Sequence, residues 1–299
     1  NYLFRIYQWL IAAPIILVAT ILTALFTMVA SLFNRAWAGY YCTILWGRCF
    51  CWLFFIDVKV EGRENIDKNK SYVFVANHQG AYDIFALSGY LGHNFCWMMR
   101  RALINIPFVG TACQMSGQIL VDTHNARALK KTMDDAKKRL NKGVSLCVFP
   151  EGRRTDTGKM GPFKKGAFKL AVDFSLPVVP ITIDGSYDVM PRSTFNIRPG
   201  KIRIMIHKPI FPAKDGHDLK ALSLDSFKVI HDSLPEKTNK AREMARILAK
   251  RNKKTVLSLA ISKKCITFAT QMKIVLWCNG STPDSGSVCE GSNPSRTTK

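Results

Sequence analysis

His78 and Asp83, in the block Asn77-His78-Gln79-Gly80-Ala81-Tyr82-Asp83, are the residues of this chain best suited to moving a proton. A second block, Phe149-Pro150-Glu151-Gly152-Arg153-Arg154, follows further along. A hydroxyl is a poor nucleophile near neutral pH, so a base must take its proton as it attacks. Histidine, with an ordinary pKa of about 6.5, suits that task. A carboxylate beside the ring, here Asp83, holds the imidazole in one tautomer and stabilises the imidazolium that forms. Guanidinium groups such as those of Arg153 and Arg154 grip phosphate oxygens two at a time. Glu151 and Gly152 make the turn that leads to them, and Lys164 and Lys165 add positive charge nearby. Together the blocks describe an enzyme that deprotonates an alcohol beside an anionic substrate. Each alone also fits a plainer role. His78 equally fits a turn residue bonded to backbone, Asp83 an acid at a helix N-terminus, and the arginines a solvated loop pair with Glu151 neutralising one of them.

No Gly-x-Ser-x-Gly elbow occurs, so an enzyme-bound acyl group has no evident nucleophile. The base would activate the substrate's own hydroxyl for direct attack on an activated acyl group. Neither Gly-x-x-x-x-Gly-Lys-Ser/Thr nor Gly-x-Gly-x-x-Gly is present, which counts against nucleotide hydrolysis and dinucleotide redox chemistry.

The elements that must hold these residues follow from spacing. Five positions apart on one regular helix, His78 and Asp83 would point about 140° from each other. They meet only if His78 sits on a turn and Asp83 on the first turn of the helix after it. The apolar run 71–76 reads as a buried strand ending at that turn, with a helix over 83–91. Ala126, Leu129, Met133, Ala136 and Leu140 recur at helical steps and give one apolar face, with Gly143 as the stop. A short strand over 144–149 then delivers the second block, and 176–183 and 201–207 read as two more strands. Such alternation argues an α/β domain, whose sites lie beyond the strand ends.

Length and composition set the frame. A chain of 299 residues buries a full core, as one large domain with appendages. Residues 6–33 carry no charged side chain, a run long enough to cross or lie deep in a bilayer and too long for a cleaved signal peptide. The net charge of +22 is spread: residues 1–56 contribute +3, residues 251–299 contribute +6, and the remaining +13 surrounds the motifs. A basic surface favours nucleic acid or anionic lipid, and the apolar N-terminus tilts the choice to anionic membrane lipid, not nucleic acid. Nine cysteines, with no Cys-x-x-Cys pair and no histidine cluster, look like reduced small hydrophobes and offer no metal site.

Residues 60–210 resemble the glycerolipid acyltransferases, in particular the 1-acyl-glycerol-3-phosphate acyltransferases that make phosphatidic acid. Asn77-His78-Gln79-x-x-x-Asp83 is similar to that family's His-x-x-x-x-Asp catalytic block. Phe149-Pro150-Glu151-Gly152-x-Arg154 is similar to its Phe-Pro-Glu-Gly-Thr-Arg block, which is implicated in binding the phosphorylated acceptor. Val179-Pro180-Ile181 matches the late Val-Pro block, and Arg100-x-x-Leu103 with Pro107 and Gly110 matches a Lys-x-x-Leu stretch. The resemblance implies a mixed sheet flanked by helices, with a membrane-attached helical pair before it. It implies His78 and Asp83 as the catalytic pair and Glu151, Gly152, Arg153, Arg154 and Arg100 at the substrate. It implies acyl transfer from acyl-CoA or acyl-carrier protein to lysophosphatidic acid, without a cofactor, on the cytoplasmic face of a membrane. The rival readings are an acyltransferase for glycerol-3-phosphate or another lysolipid, and a catalytically inactive lipid-binding module.

The chain departs from the family at Gly117-Gln118-Ile119-Leu120-Val121-Asp122-Thr123, where Leu120 stands for an aromatic and Thr123 for an arginine that contacts phosphate. Arg127, one helical turn on, is the candidate replacement. The expected organisation is membrane-anchoring helices over 1–56, the acyltransferase α/β domain over 57–215, a helical extension over 216–254 and a tail over 255–299. Because both blocks lie beyond Asp57, the α/β unit is expected to fold without residues 1–56. The tail is Gly/Ser/Pro-rich towards its end, and reads equally as a flexible terminus or as translated transfer-RNA gene sequence, since Gly291-Ser292-Asn293-Pro294 matches the GGUUCGAAUCCC loop.

Overall fold

The computed structural model describes residues 2–121, 126–140, 144–212 and 219–235. A continuous helix α1 (Tyr2–Phe33) turns at Asn34 into α2 (Arg35–Leu53), with the Asn34 side chain capping the second helix through Trp37 N at 3.0 Å. Then come β1 (Ile56–Glu61), β2 (Val73–Ala76), α3 (Tyr82–Tyr90), β3 (Phe95–Arg100), α4 (Val109–Met115) and β4 (Ile119–Val121). The second half holds α5 (Ala126–Leu140), β5 (Ser145–Val148), α6 (Gly166–Asp173), β6 (Val178–Asp184), α7 (Ser186–Val189), β7 (Gly200–Ile206) and α8 (Leu219–Asp232).

The strands form one mixed sheet in the order β1-β7-β6-β2-β5-β3-β4. From β6 to β4 all neighbours are parallel; β7 runs antiparallel to β6, and β1 lies parallel to β7 at the far edge. A central parallel strand is buried on both faces and so reads as unbroken apolar sequence, as the four buried residues of β2 do. Its pleat sends Phe74 and Ala76 to one layer, with α3 and the N-terminal helices, and Val73 and Val75 to the other, with α6 and α8. The fully buried Asn77, His78 and Asp83 therefore emerge from the centre of the sheet.

The strands expected over 71–76, 144–149, 176–183 and 201–207, and the helices expected near 83–91 and 126–140, are all present with ends shifted by one or two residues. Gly143 lies outside the described residues. Three strands carried too little pattern to be expected: β4 has only three residues, β1 is a half-exposed edge strand, and β3 alternates weakly.

The N-terminal pair is more than an appendage. Phe50 and Cys51 of α2, Phe54 just after it, and Ala12 and Ile16 of α1 belong to the same buried cluster as Phe74, Tyr82 and Ile181. Phe50 stacks on Phe85 of α3 at 3.9 Å between ring centroids. The helices approach so closely at Gly47 that an added Cβ would lie 2.6 Å from Phe85 O. Removing residues 1–56 would uncover this core, which argues against the expectation that the α/β unit folds without them. Burying large aromatic and aliphatic side chains contributes about 1.5–3 kcal/mol each, and several would be lost together.

Candidate active site

The chain leaving β2 is fixed at once. Asn77 donates Nδ2 to Ile183 O of β6 at 2.8 Å and accepts from Ile183 N at 2.7 Å. His78 follows on the turn and Asp83 on the first turn of α3, the one arrangement in which their spacing lets them meet. Asp83 Oδ2 lies 2.8 Å from His78 Nδ1 and also accepts the backbone N–H groups of Gln79 at 2.7 Å and Gly80 at 2.9 Å. With a carboxylate as its partner, Nδ1 carries the ring proton, and Nε2 is left as the bare acceptor. That atom is buried and has no hydrogen-bond partner among the described residues.

The ring plane is held as firmly as its edge. Phe149 stacks on His78 at 4.0 Å with 9° between planes, and Trp97 stacks behind Phe149 at 5.2 Å. Burial pushes the His78 pKa below its ordinary 6.5, and the Arg154 charge adds to this while Asp83 opposes it. Desolvation disfavours the charged imidazolium, so the resting ring is neutral at neutral pH and able to accept a proton.

The second block leaves β5, the immediate neighbour of β2, with Val148 in register with Val75. Gly152 adopts φ of +74°, where side chains are strained, and an added Cβ would lie 2.7 Å from Lys164 Nζ. Glu151 turns inward. Its Oε1 accepts the His78 backbone N–H and its Oε2 the Gly161 N–H, each at 2.7 Å. Burial raises its pKa to about 7, with the two amides pulling it down and Asp83 pushing it further up. Arg154 is 6% exposed. Its charge is felt at His78.

The structure thus gathers Glu151, Gly152 and Arg154 at His78, while the Arg153 side chain faces solvent. Arg100 is exposed at the end of β3 and Arg127 is exposed on α5. Both are at the same sheet edge as His78. At the usual strand spacing, β3 lies about 10 Å sideways from β2 and β4 about 14 Å. Lys164 lies over Gly152, with its backbone N donating to Pro150 O at 2.8 Å. Lys165 is exposed, and Thr123 lies outside the described residues. Among the described residues no His, Cys, Asp and Glu side chains cluster in a way that could hold a metal ion.

Sequence reasoning did not find Phe149 and Trp97 as supports of His78, nor Gly161 as a partner of Glu151. The aromatic contacts join distant segments and the Gly161 bond closes an irregular loop, and the one hint was an aromatic placed just before the second turn. Trp97 also walls an apolar cavity of ≈ 130 Å³ between the sheet and the N-terminal helices, lined by Thr20, Ala24, Trp46, Ile84 and Met99 among others.

Residues 57–184 match the family model described as Acyltransferase. The chloroplastic 1-acyl-sn-glycerol-3-phosphate acyltransferase BAT2 of Brassica napus is 35% identical over 162 residues, 54% of this chain and 47% of that protein. A Chlamydomonas reinhardtii protein with the same enzyme name is 32% identical over 213 residues, 71% of this chain and 63% of that one. The chain thus spans about half to two thirds of the length of these relatives. The crystal structure of the 1-acyl-sn-glycerophosphate acyltransferase PlsC from Thermotoga maritima superposes with a TM-score of 0.64 at 26% identity, covering 82% of this chain and 98% of that one.

Proposed function

Residues 57–184 form a domain of the acyltransferase family, and on that premise we propose that the chain acylates the free hydroxyl of 1-acyl-sn-glycerol-3-phosphate to give phosphatidic acid. The observation that carries this reading is the bare, buried Nε2 of a neutral His78 whose other nitrogen is bound to Asp83. The donor is a thioester, acyl-CoA or acyl-carrier protein. The acceptor oxygen attacks the thioester carbonyl carbon as Nε2 takes its proton, and Asp83 stabilises the imidazolium. The tetrahedral intermediate collapses, the C–S bond breaks, and the proton on Nε2 passes to the departing sulfur. No further group is required for balance. Arg154, beside His78, is suited to the acceptor phosphate, and the apolar cavity behind Trp97 is suited to a hydrocarbon chain.

The reading extends to a membrane. Leu10, Val18, Leu22, Phe26 and Val29 form an exposed apolar stripe along α1. Elsewhere the helix is tied to the rest of the molecule: Gln8 Nε2 donates to Phe195 O of the domain at 2.8 Å, and Thr20 Oγ1 accepts from Trp46 Nε1 of α2 at 3.1 Å. A helix bound along its length to a domain favours lying in the interface with its outer face in lipid, with the site on the cytoplasmic side. Leu22→Asp with Phe26→Asp should release the protein from anionic vesicles while sparing turnover in detergent micelles. Unchanged vesicle binding would contradict that placement.

The deciding experiment for the activity offers one labelled acyl thioester to a panel of acceptors. 1-Acyl-glycerol-3-phosphate should be acylated well above glycerol-3-phosphate and phosphate-free lysolipids. Equal use of phosphate-free lysolipids would move the protein to another acceptor class.

A further inference from the structure

An acid beside an arginine on a substrate loop reads at first as part of the binding surface, and the geometry argues otherwise. Both oxygens of Glu151 are occupied by backbone amides from different segments, His78 on the β2 turn and Gly161 on its own loop. A carboxylate so engaged has little left to offer a ligand, and a negative charge at a phosphate site repels. Two neighbouring bonds run parallel to it: Thr155 N donates to His78 O at 3.0 Å, and Gln79 Nε2 to Gly158 O at 3.2 Å. Glu151 is the charged member of this seam and is itself buried.

We propose that Glu151 is a positioning residue, whose carboxylate ties the arginine-bearing loop to the amide of His78 and so fixes the distance between phosphate grip and proton acceptor. The inference rests on the reading of His78 as the base. It makes the tether sensitive to protonation. A protonated carboxyl keeps one good acceptor, and its O–H meets the other N–H donor to donor. Asp83 of α3 acts on the carboxylate by its charge; the other titratable groups on the segments packed there are the His78 ring on the β2 turn and Arg154 and Lys164 on its own loop. Burial sets its titration at about 7, and the working, ionised form lies above that. For folding the sign is the reverse: with the folded value raised above 4.5, the stabilising contribution is full below 4.5 and is lost as pH rises through about 7. His78, held below 6.5, titrates lower.

The test uses full-length protein in detergent micelles. The wild type should lose kcat/KM for the acceptor in two acid steps, one near the Glu151 value and one below the ordinary histidine value. Glu151→Gln should lower the alkaline plateau on the order of a hundredfold, the cost of a displacement near 1 Å, and should erase the upper step while keeping the lower. Glu151→Asp, with its charge kept and its reach shortened, should retain the upper step on a reduced plateau. Thermal unfolding establishes that each variant is folded. Amide hydrogen exchange at His78 and Gly161, followed in the same samples, should quicken about tenfold in Glu151→Gln, the order of one lost hydrogen bond to a charged group. An unchanged pH profile in Glu151→Gln, or unchanged exchange at both amides, overturns the proposal. If the wild type transfers no acyl group, the functional reading fails by itself, and hydrogen exchange alone decides whether the tether exists.

Discussion

Two adjacent strands deliver the two halves of the site, and they do so in opposite styles. Five residues separate β2 from α3, and the turn is pinned to β6, to Asp83 and to Glu151. Seventeen residues separate β5 from α6, with left-handed glycines at 152 and 158 and a run of basic side chains at the surface. The short exit suits chemistry, where misplacement by 1 Å is costly. The long exit suits recognition of a charged group, where reach and adaptability matter more. On the proposed function, the difference teaches that the proton acceptor is built into the sheet and the anion grip is hung beside it.

Substitutions can break that division or sharpen it. The largest effect is expected at the short exit. His78→Ala should lower kcat by about 10²–10⁴-fold, the usual loss of a general base, in a folded protein. Asp83→Asn should cost as much or less, since it alters tautomer and charge but spares the ring. Near-normal turnover of His78→Ala would end the assignment and leave a lipid-binding module. At the long exit, Arg154→Ala should cost several-fold to hundreds-fold in acceptor kcat/KM, because a charge-assisted bond contributes about 1.5–3 kcal/mol. Arg154→Lys should recover part of that loss, as an ammonium lacks the guanidinium fork. The KM for the thioester should move much less; an equal change in both would show that the arginine serves the donor. The smallest effect is expected farthest along the sheet edge. Arg127→Ala, on an exposed helix three strands from β2, should lose less than Arg154→Ala. A larger loss would mean that Arg127 carries the phosphate in place of the missing family arginine.

What could be read in advance follows the same division. The pairing of His78 with Asp83 was legible as one of two readings, because their spacing lets them meet in a single local arrangement, and β2, β5 and β6 were legible because central parallel strands are apolar throughout. The supports were not. Phe149 under His78 and Ile183 on Asn77 join segments separated by many residues, Gly161 on Glu151 closes an irregular loop, and no local pattern encodes such partners. The helical pair was recognised as apolar, but its inner face also closes the core against α3, and composition does not distinguish lipid-facing from protein-facing leucines and phenylalanines. The expected boundary at residue 56 marks a change of composition, and side chains from both sides of it share one core. The helical extension beyond Pro235 and the tail over 255–299 lie outside the described residues.

A base that solvent cannot reach cannot activate water. Every acyl thioester drawn to such a site faces two competing nucleophiles, the intended alcohol at low concentration and bulk water near 55 M, a ratio that ordinary acid–base catalysis would resolve in favour of hydrolysis. Burial of Nε2, on a ring against which Phe149 stacks, would keep that competition low in the proposed reaction. On the proposed function, transfer would be favoured over hydrolysis for a steric reason, and fidelity to transfer becomes measurable. Thioester hydrolysis without acceptor should be slow in the wild type and should rise when Phe149 is cut back to alanine, even as synthesis falls.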